Sequence, residues 1–273
     1  MKGLIRYASL TFIASLIGGC SSFPWNKVDP GSLITRPNQP QSMPALSELV
    51  SSGLKRAKDE ELLTCEKKSG IQKQIEKLAH PTNFGERYEV DHWGRSISGS
   101  PQLIVLHETV ISEPATIALF QTPHPRDEDQ ASYHMLVASD GVRIRIVPDL
   151  SRAYGSGMSA FGDATQRREP NRVGSVNNFA LHLSLVTPAD GRGDHASHSG
   201  YTEAQYRSLA TQVLLWQAKH GIPLTRVTTH AAVDRSHSRY DPRSFRWDYF
   251  DKYYLPLSVD CGFERFNNHQ AGL

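Results

Sequence analysis

The sequence predicts an α/β fold, in which helices cover a buried β-sheet. Residues 103–106 are four consecutive aliphatic residues, a pattern typical of a strand that is buried on both faces. A second strand is expected over 179–186, where every second residue is apolar. A long helix over 202–220 then leads into a third strand over 226–230.

The first residues of the chain resemble the signal peptide of a bacterial lipoprotein. Lys2 and Arg6 form a positive segment, and the apolar segment 10–17 is too short to span a bilayer. The segment 1–19 ends with Leu-Ile-Gly-Gly and is followed by Cys20. The resemblance implies that Cys20 is lipidated, and two or more acyl chains give stable anchoring. An ordinary secretory peptide that ends near a cysteine is the alternative.

A lipoprotein of this kind is expected in the periplasm, and Ser21 in place of an aspartate favours the outer membrane. Removal of the signal peptide takes away Lys2 and Arg6, and leaves 28 basic residues against 28 acidic ones. The sequence shows no concentrated basic segment, so no nucleic-acid partner is expected. We expect a monomer.

The rest of the chain divides into four predicted parts. Prolines among polar residues make 20–43 a tether. Residues 44–80 are expected to form a helical extension, with 81–257 as the main domain and 258–273 as a C-terminal tail. The apolar residues that suggest two helices in the extension are Leu46, Leu49, Val50 and Leu54, and then Ile71, Ile75 and Leu78.

Within the main domain, the best local pattern is a β-hairpin over 132–147 with Asp140-Gly141 as its turn. Because Arg143 and Arg145 alternate with apolar residues, its second strand is expected to have one face in water. In the strand over 179–186, Phe179 is expected to share a face with the leucines. The long helix begins with a capping box at Thr202 and Gln205 and ends at Gly221. The remaining expected elements are a short helix over 114–120, a loop over 151–176 and a helix over 245–254.

Three residues are candidates for a metal site. His107 follows the first apolar strand, His230 ends the strand over 226–230, and Asp241 lies in the loop beyond it. In open α/β sheets, ligands bind at the carboxyl ends of the strands. A histidine at a strand end is more often structural, and Asp241 could instead cap a loop. These residues alone therefore leave both interpretations open.

Six stretches, taken in order over about 100–250, carry a resemblance to a known family. They are Ile104-Val-Leu-His107, Ser132-Tyr-His-Met-Leu-Val-Ala-Ser-Asp-Gly141, Asn177-Asn-Phe-Ala-Leu-His-Leu-Ser-Leu185, Tyr201-Thr-Glu-Ala-Gln-Tyr206, Thr229-His230 and Arg239-Tyr-Asp-Pro242. The set resembles the zinc-dependent N-acetylmuramoyl-L-alanine amidases of the amidase-2 and peptidoglycan-recognition-protein superfamily. The resemblance implies a central mixed β-sheet flanked by helices, a groove for peptidoglycan or a muropeptide, and Zn²⁺ bound by His107, His230 and Asp241. Such a ligand set leaves a fourth position for water, which is typical of a catalytic zinc site.

The same resemblance suggests catalytic roles. Arg239 stands where relatives carry a lysine that stabilises the oxyanion of amide hydrolysis. Ser184 stands where one branch of the family has a glutamate, and its loss could mean an inactive enzyme. Another branch also lacks that glutamate and uses a tyrosine at the position of Tyr133, so we interpret the enzyme as active. His182 shares a predicted strand face with Ser184 and could titrate near the zinc, although a structural core histidine fits as well. Strand alternation places Glu108 on the opposite face and excludes it.

Cys65 and Cys261 are the cysteines that remain after Cys20. An exported protein folds in an oxidising compartment, so a disulfide between them is predicted, with two buried thiols as the alternative. The sequence is compatible with three functions: a lipid-anchored zinc amidase, a binding protein of the same fold that does not cleave muropeptides, and a structural lipoprotein. The presence of all three candidate ligands favours the first.

Overall fold

The computed structural model describes residues 53–193 and 195–267. The predicted signal peptide, Cys20, the tether 20–43 and most of the first apolar set of the extension lie outside these residues, as does the end of the tail. Two β-sheets are present in the described residues, one with six strands and one with two. The strands are β1 Ile75–Glu76, β2 Phe84–Glu86, β3 Leu103–Glu108, β4 Met135–Val137, β5 Arg143–Arg145, β6 Ser151–Ala153, β7 Ala180–Leu185 and β8 Val227–Thr229.

The large sheet has the strand order β1-β5-β4-β7-β3-β8. The hairpin strands β4 and β5 are antiparallel, and every other neighbouring pair is parallel. The predicted central mixed sheet is therefore confirmed. The small sheet pairs β2 with β6, so the segment predicted as a loop over 151–176 begins with a strand.

Helices cover the sheet. They are α1 Asp59–Ser69, α2 Glu113–Gln121, α3 Glu203–His220, α4 His230–Val233 and α5 Trp247–Asp260. The longest helix, α3, begins with the predicted capping box of Thr202 and Gln205, and Gly221 adopts a left-handed conformation after its last turn. On one face of the sheet, α1 and α5 pack against α3.

The side chains of β3 alternate between two cores. One core lies under α3 and α5, and the other lies under the loop over 157–177 and α4. The first contains Ile104, Leu106, Leu183, Leu209, Val213, Trp216 and Phe250. The second contains Leu103, Val105, Phe161, Val176, Phe179 and Val233. His107 follows Val105 by two residues, so its side chain belongs to the second face.

Three local predictions were wrong. The apolar residues after Gly70 do not form a helix, because Ile75 pairs with Ile144 of β5 as an edge strand and the Ile75 side chain is exposed. Phe179 packs beside Val105 rather than with the leucines, since β7 begins only at Ala180.

The third concerns Arg143, which does not face water. Its side chain is 1% exposed, because α1 and α3 cover it. It donates hydrogen bonds to Gln212 in α3, at 2.8 Å, and to Glu66 in α1. The ion pair with Glu66 explains how a charged residue is accommodated under the helices.

A disulfide joins Cys65 in α1 to Cys261, which directly follows α5. This is the pair that the sequence analysis predicted. It connects two segments that are 196 residues apart and fixes α1 on the face covered by α3. Within residues 53–193 and 195–267, no helix is both long and apolar enough to cross a membrane.

Candidate metal centre

Three segments bring the candidate ligands to one place. His107 lies near the carboxyl end of β3, which has β7 on one side and β8 on the other, both parallel to it. His230 begins α4 directly after β8, where the Thr229 hydroxyl accepts a hydrogen bond from the backbone of Ala232. Asp241 lies in the following loop, and its backbone carbonyl accepts a hydrogen bond from the N–H of Ala231. The carboxyl ends of β3 and β8 thus meet the loop that carries the carboxylate.

The possible ligand atoms of His107, His230 and Asp241 lie within 4.8 Å of one another, and all three residues are buried. Nδ1 of His230 is 2.9 Å from Oδ1 of Asp241, and Nδ1 of His107 is 3.3 Å from Oδ2. Each imidazole therefore presents the same nitrogen to the same carboxylate. This arrangement has the residue types and the spacing of a metal site.

The hydrogen bonding of these nitrogens tests that interpretation. Among the described residues, neither Nδ1 atom has a well-aligned hydrogen-bond partner, although each is close to a carboxylate oxygen. Buried polar atoms are normally paired, and two convergent unpaired nitrogens need an explanation. A divalent cation between two imidazoles and a carboxylate satisfies all three groups, so these residues fit zinc.

The electrostatics prepare these groups as ligands. Burial and the nearby His230 lower the pKa of His107 to about 4, so its ring is neutral at pH 7. Burial alone would raise the pKa of Asp241, but the neighbouring His230 and His107 hold it well below its usual range. A neutral imidazole and an ionised carboxylate are the forms that bind metal.

Two of the proposed catalytic residues contact His107 directly. The ring of Tyr133 stacks on it with 4.6 Å between the ring centres. Burial and the charge of Asp241 raise the pKa of the Tyr133 phenol. On the other side, Nδ1 of His182 is 2.9 Å from Nε2 of His107, and burial lowers the pKa of His182 well below its usual value. His182 is therefore a neutral ring in contact with a candidate ligand.

The other two proposed catalytic residues, Ser184 and Arg239, lie in different parts of the site. Ser184 is paired with His107 in the sheet, lies on the same face, and has a buried hydroxyl without a hydrogen-bond partner in the described residues. Arg239 is exposed, and its backbone N–H donates to Asp234. Its charge nevertheless lowers the pKa values of both His107 and Tyr133, so the guanidinium lies near the rim of the site.

A buried ion pair beside the site was missed by the sequence analysis. Glu108 points away from the cluster, as strand alternation predicted, and pairs with Arg243. Oε1 of Glu108 accepts hydrogen bonds from the backbone and from Nε of Arg243, at 2.9 and 2.6 Å. The signal was available, because a glutamate in an apolar strand requires a buried cation. Which arginine supplied it depended on the path of the loop after Asp241.

A mixed-sheet domain with a buried two-histidine, one-aspartate cluster at the carboxyl ends of its strands defines a candidate metalloenzyme. The family model described as N-acetylmuramoyl-L-alanine amidase matches residues 98–244, more than half of the chain. The chain belongs to this amidase family. The matched region contains all three residues of the cluster and Tyr133.

Solved structures of amidases and related proteins are similar to the chain. A selenomethionine derivative of AmpD is 21% identical, with a TM-score of 0.48, and the match covers 68% of this chain and 97% of that one. The endolysin amidase LysCS from Clostridium intestinale is 17% identical, with a TM-score of 0.42, and the match covers 67% of this chain and 96% of LysCS. The hydrolase AmiA from Staphylococcus aureus, solved with its ligand, is 15% identical, with a TM-score of 0.43. The match covers 77% of this chain and 98% of AmiA. No curated protein matches the sequence.

Proposed function

We propose that the protein is a zinc-dependent hydrolase of the amide bond between N-acetylmuramic acid and L-alanine, in peptidoglycan or in muropeptides. The observation that carries the proposal is the convergence of two unpaired imidazole nitrogens on a buried carboxylate, inside the region matched by the family. His107, His230 and Asp241 would hold the zinc, with a fourth position left for water.

Hydrolysis adds water across the amide, and it leaves a lactyl carboxylate on the sugar and a free amine on the alanine. A bound zinc ion would lower the pKa of a water molecule and polarise the scissile carbonyl. The low pKa of Asp241 supplies a negative charge to the site at neutral pH. The neutral His107 ring binds without first losing a proton to solvent.

Two side chains are proposed to stabilise the reacting amide. The phenol of Tyr133, whose pKa burial raises further, is protonated at neutral pH as tyrosines ordinarily are, and it can donate a hydrogen bond to the developing oxyanion. Arg239 is always protonated, so it offers a fixed positive charge at the rim but cannot act as a base. The hydroxyl of Ser184 is a weaker candidate, since Ser184 is fully buried beside His107.

The location of the enzyme is also a proposal. We infer a periplasmic protein that is attached to the outer membrane through lipid on Cys20 and acts as a monomer. The support is the signal-like segment 1–19 followed by Cys20, together with the disulfide between Cys65 and Cys261. Disulfides persist in oxidising compartments such as the periplasm.

The alternative function is a binding protein that holds a muropeptide without cleaving it. It is favoured by one observation, the serine at position 184 where an amidase branch has a glutamate. Both functions would bind zinc, so only the products of the reaction distinguish them.

The test uses the full chain with intact peptidoglycan sacculi and, separately, with soluble muropeptides. We expect mass spectrometry to find free stem peptides that begin with L-alanine, and glycan that carries a free lactyl group. A chelator should stop their release, and added Zn²⁺ should restore it. Bound zinc without any amide cleavage would establish the binding function instead. Cleavage that a chelator leaves unchanged would remove the proposed role of the metal.

A further inference from the structure

We propose that His182 is a positioning residue, which accepts a hydrogen bond from Nε2 of His107 and so makes Nδ1 of His107 the ligand nitrogen. This inference rests on the proposed zinc site and assigns a function to a residue that otherwise looks like a core histidine. His182 reaches neither His230 nor Asp241 by a hydrogen bond in the described structure, and it acts through His107.

The argument begins with the two nitrogens of the His107 ring. Nδ1 faces Asp241, whereas Nε2 faces Nδ1 of His182 at 2.9 Å. A neutral imidazole has one lone pair and one N–H. If the Nδ1 lone pair binds metal, the proton must lie on Nε2, and it points at His182. A histidine ligand normally donates its second N–H to an acceptor that fixes its orientation and tautomer.

The ring of His182 is itself held in place by His134. Their rings stack with 5.8 Å between the centres, at an angle of 15°. The backbone N–H of His182 donates to Nδ1 of His134 at 3.0 Å, and the backbone N–H of His134 donates to the carbonyl of His182 at 2.9 Å. Because Nδ1 of His134 accepts that bond, the proton of His134 lies on Nε2, which donates to the backbone carbonyl of Ser151 at 3.1 Å. A chain of contacts therefore fixes the acceptor that His107 requires.

The absence of a side chain at Gly155 also leaves space for the His182 ring. A Cβ atom added at Gly155 would lie 2.5 Å from the His182 ring. Real Cβ atoms do not approach that closely, so a side chain at position 155 would displace the imidazole. Gly155→Ala thus offers a way to move the acceptor while both histidines are retained.

A neutral imidazole is an unusual acceptor at this place, where carboxylates and backbone carbonyls are common. It carries no charge, so it fixes the direction of the His107 ring without adding a second anion beside Asp241. Only the tautomer of His182 with its proton on Nε2 can perform this function, because Nδ1 must offer its lone pair.

The test measures zinc affinity by competition with a chelator, using the full chain in detergent. His182→Leu removes the acceptor, and we expect the dissociation constant for zinc to rise about 10- to 100-fold. His182→Asn places an amide oxygen near the former Nδ1 and should retain most of the affinity. His220→Leu is the matched control, because the side chain of His220 is only 7% exposed, lies near Asp149 and is outside the cluster. It should bind zinc like the unmodified protein, and Gly155→Ala should bind more weakly.

A second measurement uses the unmodified protein, so it does not depend on whether a variant folds. In the zinc-loaded protein with ¹⁵N-labelled histidine, NMR should find the His107 proton on Nε2 and the His182 proton on Nε2. A His107 proton on Nδ1, or equal zinc affinity for folded His182→Leu and the unmodified protein, would overturn the inference. Weaker zinc binding by His182→Leu in a protein that cleaves no amide would leave the inference standing and remove the proposed function. If His182→Leu and the unmodified protein bind zinc equally well and the protein cleaves the amide, the inference about His182 is overturned and the proposed function stands.

Discussion

His107 and Glu108 are neighbours on one strand, yet they face two very different polar environments. On the Glu108 side, the carboxylate accepts hydrogen bonds from Arg243 and from Thr187. The guanidinium also donates hydrogen bonds to the backbone carbonyls of Gly191, Gly193 and His195. On the His107 side, the Nδ1 atoms of His107 and His230 and the hydroxyl of Ser184 are buried without a well-aligned hydrogen bond in the described residues. The residues on both sides are buried.

This difference in hydrogen bonding distinguishes a structural ion pair, Glu108 with Arg243, from a candidate binding site around His107. A buried ion pair whose atoms are all hydrogen-bonded needs nothing further, and its effect is on stability. Buried ligand atoms that converge without satisfying one another need a further partner. Substitutions on the Glu108 side should therefore change the free energy of unfolding, whereas those on the His107 side should change metal binding and turnover.

The largest effect is expected for Asp241→Ala. Loss of the carboxylate removes the charged ligand, and with it the several kcal/mol of transition-state stabilisation that a metal supplies, which corresponds to a loss of about 10³-fold or more in kcat/KM. Metal analysis should show that the variant retains no stoichiometric zinc, and excess Zn²⁺ should not restore amide cleavage. A variant that keeps its zinc would show that Asp241 is not a ligand.

Glu108→Gln should instead lower the free energy of unfolding. It leaves Arg243 charged and buried without its partner, which costs about 3–5 kcal/mol. Urea unfolding of the metal-free protein measures this. The matched control is the double variant with methionine at both positions, which should be more stable than Glu108→Gln because no charge is left buried. Equal stability of all three proteins would mean that the pair is solvated.

Tyr133→Phe tests the His107 side without touching a ligand. The ring can still stack on His107, but the hydroxyl is lost, and we expect kcat to fall about 10²-fold. Zinc affinity should be unchanged, as determined by chelator competition. Unchanged turnover would move the catalytic role from Tyr133 to Ser184.

A pH dependence should appear on the Glu108 side. Burial opposes ionisation of Glu108, but His198 and Arg243 hold its pKa below the usual 4.5. The stability from this pair is therefore present above the usual pKa and is lost as the pH falls through the lower pKa of the folded state. The difference in unfolding free energy between the metal-free protein and Glu108→Gln should shrink between pH 6 and pH 3. A constant difference would contradict the assignment.

The smallest effect is expected for Ser184→Ala. Its hydroxyl has no hydrogen-bond partner in the described residues, so its removal breaks no bond there. We expect zinc affinity to be unchanged and kcat to change by less than about threefold, roughly 0.6 kcal/mol. A large loss of kcat with normal zinc binding would reveal a role in positioning water.

The residue pattern predicted most of what lies along single strands. Alternation along β7 placed His182 and Ser184 on one face, and alternation along β3 placed Glu108 opposite to His107, because the side-chain period of a strand is fixed. The positions of Ile75, Phe179 and Arg143 were predicted wrongly for a different reason. Each depends on where an element starts or on what packs above it, and neither is a local property of the sequence.

Contacts between different strands and loops were also not predictable from the sequence. The 2.9 Å contact of His107 with His182 requires the register of β3 against β7, and the pairing of Glu108 with Arg243 requires the path of a loop. The motif order implied the ligand set, but it carried no information about the groups that surround each ligand.

The attachment of α1 has a consequence for where a membrane anchor would join the domain. Residues 54–57 lie against the C-terminal end of α3, where Ala57 bonds to Ala218, and the disulfide holds α1 there. This corner lies at the end of the sheet opposite His107 and on its other face. If a lipid on Cys20 holds the protein at a membrane, the polypeptide would enter the described domain at this corner, and the candidate metal centre would lie at the other end of the sheet. Attachment through the N-terminus would therefore leave the candidate metal centre clear of the anchor.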